Sequence, residues 1–451
     1  MKDSINDYNQ KIYIYRRSGD YQTGVEFFKQ KVHGCFSTDV LKGHPYLIPN
    51  LLYCLRKIGQ TDAAFTFIIK HLKVDVSSSI PETWKCEIGW LLYYKLSVSN
   101  DFSNTSSLLA KWVGSYLEEP VIIDNFLLWK KLISAATTRF SQSKDWAIYW
   151  SGFLSGINPD KLSCKPLELI TNDKKCPVKA SSPRELLYVN RTKVLFTAED
   201  HPNCIASIEE ALSVIPRFHH GNQLWLSRRL ALCLGRLGET ANAIEKMKSV
   251  LSEKDEWFIK SEIGELFLNS GDRAQAFSWF ASAALTQGHS EYKVRLYELM
   301  WETCQNSALL RSKADDHFML ATSVRKEKSW RIPSSLREVI SKYNFIAIDE
   351  IENSKILYQR LTGFWKEAAA KIDSNKSPSH DTAVGKVTRI LNDGHNGDGF
   401  ITTHDGLSIY FRMKSVKRIS IIELGDSVVC AYLEREYKGK KVLNAKWVEK
   451  K

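Results

Sequence analysis

The sequence predicts a mainly α protein: an α-solenoid of helical hairpins over most of its length, followed by a small C-terminal five-stranded β-barrel. Three observations carry this. A turn built on glycine, followed at fixed spacing by a small and then a bulky apolar residue, recurs between residues 5 and 285. Five short strand-like segments, punctuated by Gly- and Asp-bearing turns, fill residues 384–448. Between the two lies Asp373-Ser374-Asn375-Lys376-Ser377-Pro378-Ser379-His380, a polar, Pro- and Ser-bearing run with linker composition. The expected division is 1–157 and 183–372 for two helical segments, 373–382 for the linker and 383–449 for the barrel.

The glycine turns are explicit. Tyr15–Tyr21 carries Gly19-Asp20, followed by Gly24 and Phe28; Gly59 is followed by Ala64 and Ile68; Gly238 by Ala243 and Met247; Gly271-Asp272 by Ala276 and Phe280. In each, the small residue lies five positions after the turn and the bulky one four later. Two antiparallel helices approach closely only where one of them presents Ala or Gly, and the bulky side chain fills the adjoining space. A further copy spans 183–216. The turns at 238 and 271 are 33 residues apart. That period and these positions resemble the tetratricopeptide repeat (TPR), most closely over 224–285, and the resemblance implies stacked helix pairs with a concave face for a protein partner.

Residues 80–180 keep helix-length apolar segments without the repeat. Their tryptophans, at 84, 90, 112, 129, 146 and 150, read as packing between helices. Gly156-Ile157-Asn158-Pro159, Asn172–Pro177 and Ser181-Ser182-Pro183 read as a helix break and loops, dividing the N-terminal from the central segment. Helices are expected to resume over 292–304, 308–324 and 349–372.

The chain has 451 residues and a net charge of +12. From 383 onward there are 13 Lys and Arg against 8 Asp and Glu, a net +5 on 69 residues, with +7 on the other 382. A basic small domain suits a phosphate-facing role. Nine cysteines without a CxxC spacing suggest neither a disulfide framework nor a zinc site, and point to a reducing, cytoplasmic compartment. Met1–Asp7 lacks the apolar core of a signal peptide, and no run of about 18 apolar residues occurs, so neither leader nor membrane span is expected.

Within the barrel, Gly399–Thr403 and Leu407–Arg412 flank the turn His404-Asp405-Gly406. Strand alternation puts Phe400 and Tyr410 on one face, where they form a stacking platform for unpaired bases. The other strands are expected at 384–391, 427–433 and 442–448. Gly385-Lys386-Val387, Gly397–Thr402, Ile409–Arg412, Leu424–Val428 and Asn444–Val448, in that order, resemble a cold-shock domain of the OB-fold type over about 67 residues. The resemblance implies single-stranded RNA or DNA on the surface of the first three strands. Phe400 and Tyr410 stand at family aromatic positions, whereas Arg389 replaces the usual Trp, Asp398 an aromatic and Arg412 a His. Guanidinium planes stack on bases and pair with phosphate, so Arg389 and Arg412 are counted with the interface; Asp398 is expected to repel phosphate. Lys386, Lys414, Lys417 and Arg418 are candidate phosphate contacts.

No phosphate loop, HExxH, GxSxG or clustered metal-ligand spacing appears, so no enzyme, metal or cofactor is expected. Arg311 and His317 have the spacing of the HEPN ribonuclease pair and resemble that family at those two residues alone. The alternative to a binding protein is therefore a HEPN-like ribonuclease or toxin effector using this pair, or a scaffold that binds protein only; His317 itself reads as a surface or partly packed residue. The favoured reading is a non-enzymatic cytoplasmic adaptor with nucleic acid on the barrel and a protein partner on the hairpins. Its architecture resembles accessory proteins of bacterial phage-defence or stress-response loci.

Overall fold

Helices reverse where the glycine turns stand. The computed structural model describes residues 4–98, 106–169, 178–305, 307, 310–342, 352–374, 381–391, 398–412, 415–416, 422–437 and 440–450, and divides into two compact units, Met1–Ser354 and Lys355–Lys451.

The first unit opens with α1 (Ile5–Ser18) and α2 (Tyr21–Phe27), which continues as a π turn, Phe28–Val32. Ser4 caps α1 and Asp7 reciprocates, forming a capping box. Gly19, at φ 82°, ends the helix in the left-handed region, and Asp20 caps the next one. This explains the Gly-Asp pair: one residue supplies positive φ at no steric cost, the other accepts the orphan N–H groups. The short α3 (Thr38–Gly43) leads to the pair α4 (Leu47–Lys57) and α5 (Thr61–Thr66), again extended by a π turn, Phe67–His71. Then follow α6 (Glu82–Val98), α7 (Ser106–Leu117), α8 (Pro120–Asp124), α9 (Phe126–Phe140) and α10 (Lys144–Gly156). Trp84, Trp112, Trp129 and Trp150 are buried there, as expected, while Trp90 and Trp146 are half-buried.

The pairs α11 (Pro183–Thr197) with α12 (His201–Val214), α13 (Asn222–Arg236) with α14 (Thr240–Glu253), and α15 (Trp257–Asn269) with α16 (Arg273–Leu285) continue the stack; α17 (Val294–Gln305) pairs with α18 (Ala314–Glu327). The spacing rule is visible as packing. Gly24, Ala64, Ala243 and Ala276 are buried, and so are Phe28, Ile68, Met247 and Phe280. A Cβ on Gly264 would lie 2.5 Å from the Phe280 ring, so glycine is what lets α15 and α16 meet. The 183–216 copy has no turn glycine. Glu199 takes the left-handed position at φ 61°, Asp200 caps α12, and Cys204 and Ile208 fill the small and bulky places.

The break near 158–183 interrupts the helices but does not divide the core. Leu186, Leu187 and Val194 join the same buried cluster as Ile12 and Trp150, and Arg191 donates to the carbonyls of Leu154 and Ile157 at 2.6–3.0 Å. Flanking the expected loop at 172–177 is a two-stranded antiparallel pair, β1 (Leu167–Leu169) and β2 (Val178–Ala180); residues 170–177, that loop among them, lie outside the described residues. After α19 (Ser334–Lys342), the expected helix 349–372 is found as α20 (Ser354–Ser374). Past its first residue α20 falls in the second unit, ahead of the expected linker, most of which lies outside the described residues.

The second unit ends in a closed barrel. Its strands are β3 (Asp381–Ile390), β4 (Gly399–Thr403), β5 (Ser408–Phe411), β6 (Ser427–Tyr437) and β7 (Lys440–Lys450), ordered β3-β4-β5-β7-β6 and closed by β3–β6 pairing. β5 and β7 run parallel and the other pairs antiparallel. Val387, Ile401, Ile409, Phe411, Val428, Cys430 and Val448 fill the interior, so alternate residues face out.

Candidate nucleic-acid interface

The outer face of β3, β4 and β5 is assembled by register. Phe400 lies opposite Tyr410, Arg389 opposite Phe400, and Tyr410 beside Asn444 of β7. Arg389, Phe400, Tyr410 and Asn444 thus form one row across four strands. A second row runs from Lys386 through Thr402 to Ser408. Two glycines allow the close approach this needs. A Cβ on Gly385 would sit 2.6 Å from the Thr402 carbonyl oxygen, and one on Gly399 would sit 2.3 Å from that of Arg389. A bulge at Thr388 re-aims Arg389 onto the Phe400 row, and the Thr388 and Thr402 hydroxyls bond at 2.8 Å.

The Phe400 and Tyr410 rings lie 5.5 Å apart at 58°. The platform expected from alternation therefore exists, with both residues half-buried. Tyr410 donates its hydroxyl to Asp398 Oδ2 at 2.7 Å. Burial pushes its phenol above the ordinary value and the Asp398 hydrogen bond adds to this, while the Arg412 guanidinium beside it works the other way. Asp398, expected to repel phosphate, is also the acceptor that anchors the platform tyrosine. Residue type and spacing contained no signal for that contact, nor for the parallel pairing that adds Asn444. Lys386, Arg389 and Arg412 are exposed on the described surface; Lys414, Lys417 and Arg418 lie outside the described residues. The turn between the platform strands is as read: Gly406 takes φ 84°, and Leu407 donates its N–H to Thr403 Oγ1 at 2.9 Å.

Arg311 and His317 do not form a comparable site. Arg311 begins a 3-10 turn, Arg311–Lys313, whereas His317 lies one turn into α18 and is fully buried, correcting the expectation of a surface or partly packed residue. Its Nδ1 is 2.6 Å from the Lys313 carbonyl oxygen and its ring meets Phe277 edge-on at 5.7 Å. Burial pushes its pKa down to about 4. The apolar α17–α18 packing captures this histidine, because a neutral imidazole with one carbonyl partner is tolerated inside. Among the described residues no three His, Cys, Asp or Glu side chains converge as metal ligands, and no helix is long and apolar enough to cross a membrane.

No protein-family model matches the chain, and no curated protein matches it. Among solved structures, the crystal structure of the APC/C hetero-tetramer Cut9-Hcn1 aligns over 79% of this chain and 83% of its own, at 11% identity and a TM-score of 0.19. At that score the alignment carries no argument, and the TPR-like character stands on the chain's own hairpins.

Proposed function

We propose that the chain is a non-enzymatic scaffold that engages a protein partner on its helical hairpins and holds single-stranded RNA or DNA on its C-terminal barrel. The observation that carries the nucleic-acid half is the Phe400–Tyr410 pair, flanked on one face by Arg389, Arg412 and Lys386. Aromatic rings take bases of any sequence and the cations track phosphate. The closed five-strand order, with a parallel β5–β7 pair, supports the cold-shock type of barrel that the sequence motifs resemble. The eight described cysteines are all free thiols, which agrees with a cytoplasmic setting. A place in bacterial phage defence or stress response rests on architectural analogy alone, and genomic neighbours test it.

The test is fluorescence-anisotropy titration of the full-length protein with short single-stranded RNA and DNA at two salt concentrations. Saturable binding that weakens with salt is expected. Stacking is worth roughly 1–3 kcal/mol per base, so the double change Phe400→Ala, Tyr410→Ala should weaken affinity about 10-fold or more. Unchanged affinity in that variant, or no binding of either polymer, leaves the protein-only scaffold. The protein half has its own test: cross-links between a co-purifying partner and the chain should map to α1–α18, and cross-links confined to the barrel would reject it.

A further inference from the structure

Across the first two hairpins runs a groove of about 650 Å³ walled by α1 and α4, a size that admits several residues of an extended ligand. Its floor is polar and ordered. Asn50, 4% exposed, accepts from Arg16 at 2.8 Å and donates to Asn9 Oδ1 at 3.0 Å. The Arg16 guanidinium carbon lies 4.0 Å from the Tyr53 ring centroid, and Arg56 and Lys57 approach the same ring at 4.8 and 5.5 Å. The tyrosine is thus occupied by cations of the protein itself. What remains on offer is donors. Among the described residues, Arg17 makes no hydrogen bond or ion pair and the Asn9 amide NH2 has no acceptor. The rim tyrosines Tyr13 and Tyr46 are 46% and 57% exposed. No Asp or Glu lines the groove; Glu87, outside the lining, is 4.0 Å from Arg16 and 3.3 Å from Arg56.

We infer that this groove docks an acidic, extended segment of a protein partner, an inference that rests on the protein-binding role proposed for the hairpins. Charge complementarity selects the sign: two guanidinium groups without a lining carboxylate favour an anion and steer its approach. The Asn9 amide, whose oxygen is already taken by Asn50, offers its NH2 to a main-chain carbonyl of such a segment. Arg16 is held by Asn50 and Tyr53 before any ligand arrives, so little freedom is lost on binding. Arg17 supplies the uncommitted charge, and Tyr13 and Tyr46 close over the segment's aliphatic stems.

Anisotropy of the full-length protein with a fluorescent ten-residue Glu- and Asp-rich peptide, its Gln and Asn isostere, a Lys-rich counterpart and oligo-uridine tests this. The acidic peptide should bind at least about 10-fold more tightly than its isostere and lose affinity as salt screens the contact. Arg17→Glu, a change at an exposed residue, should lower acidic-peptide affinity about 10-fold or more at an unchanged melting temperature, as should Asn9→Ala to a smaller degree. The Phe400→Ala, Tyr410→Ala variant should bind the peptide normally. Equal binding of peptide and isostere, or indifference to Arg17→Glu, overturns the inference. Capture of the neutral or Lys-rich peptide instead overturns it while leaving the scaffold reading intact. Oligo-uridine binding that Arg17→Glu abolishes overturns it in favour of a nucleic-acid groove, and retention of no peptide at all overturns it while partner cross-linking judges the scaffold separately.

Discussion

The first hairpins and the central ones are built alike and dressed differently. Both place a small residue five positions after the turn and a bulky one four later, buried in each case. On the central hairpins, however, cations meet carboxylates. Arg228 donates to Glu262 at 2.7 Å, Arg325 to Glu298 at 2.7 Å, and Arg295 bridges Glu298 and Glu302 at 3.4 and 3.0 Å. On the first hairpins Arg16, Arg56 and Lys57 gather on Tyr53, with Glu87 as the carboxylate of the two arginines and Arg17 left over. Close helix packing constrains only the buried positions, so exposed positions of the same repeat are free to carry neutralised or unneutralised charge. One scaffold thereby holds a balanced face and a cationic one.

The shared construction is tested by its core pairs. Phe280→Ala should cost about 3–5 kcal/mol and Ile68→Ala about 2–5 kcal/mol in urea unfolding, because each leaves a cavity at a helix–helix contact. A loss below about 1 kcal/mol at Ile68 would show that the two regions are not built on the same contact.

The regions should also part on acidification. His317 is neutral in the native state, its pKa about 4 against an ordinary 6.5. Well above pH 6.5 neither folded nor unfolded chain protonates it, and its full contribution is present. As pH falls below 6.5 the unfolded chain takes up the proton first, so stability drops until about pH 4, by roughly 3 kcal/mol in all. Glu87 acts in the opposite sense: burial raises its carboxyl, so falling pH relieves a cost of folding. The melting temperature should fall between pH 6.5 and 4, and His317→Leu should flatten that limb; an unchanged limb in the variant would assign it elsewhere.

The smallest effect separates paired from unpaired charge. Arg325→Ala, which leaves a mostly buried Glu298 short of a partner, should cost about 1 kcal/mol, and Arg17→Ala no more than about 0.5 kcal/mol, both read by urea midpoint. Equal costs would erase the proposed contrast.

Much of this architecture is legible in the sequence. Gly19-Asp20 and Gly271-Asp272 announce a reversal because positive φ and an N-cap are local needs, met by neighbours in sequence. Phe400 and Tyr410 share a face because strand alternation has a period of two and the His404–Gly406 turn pairs the strands directly. Where a local rule is met by an unusual residue, the signal fades. Glu199 in the left-handed position hid the turn of the 183–216 copy, and Cys204 hid its small residue. The strand pair β1–β2 went unread because three-residue strands have too little alternation to show.

Contacts between residues far apart in the chain belong to the tertiary structure alone. Tyr410 gains Asn444 through a parallel pairing, Asp398 gains the Tyr410 hydroxyl as a donor, and His317 turns from a nuclease candidate into a core residue. The cationic groove forms because α1 and α4 lie side by side, bringing Arg16 to Asn50 and Tyr53 across more than thirty intervening residues. Sequence determined the elements and their buried faces, since those follow from backbone geometry and hydrophobic periodicity within a dozen residues. Which exposed side chains meet depends on how the elements pack, and packing is a property of the whole chain.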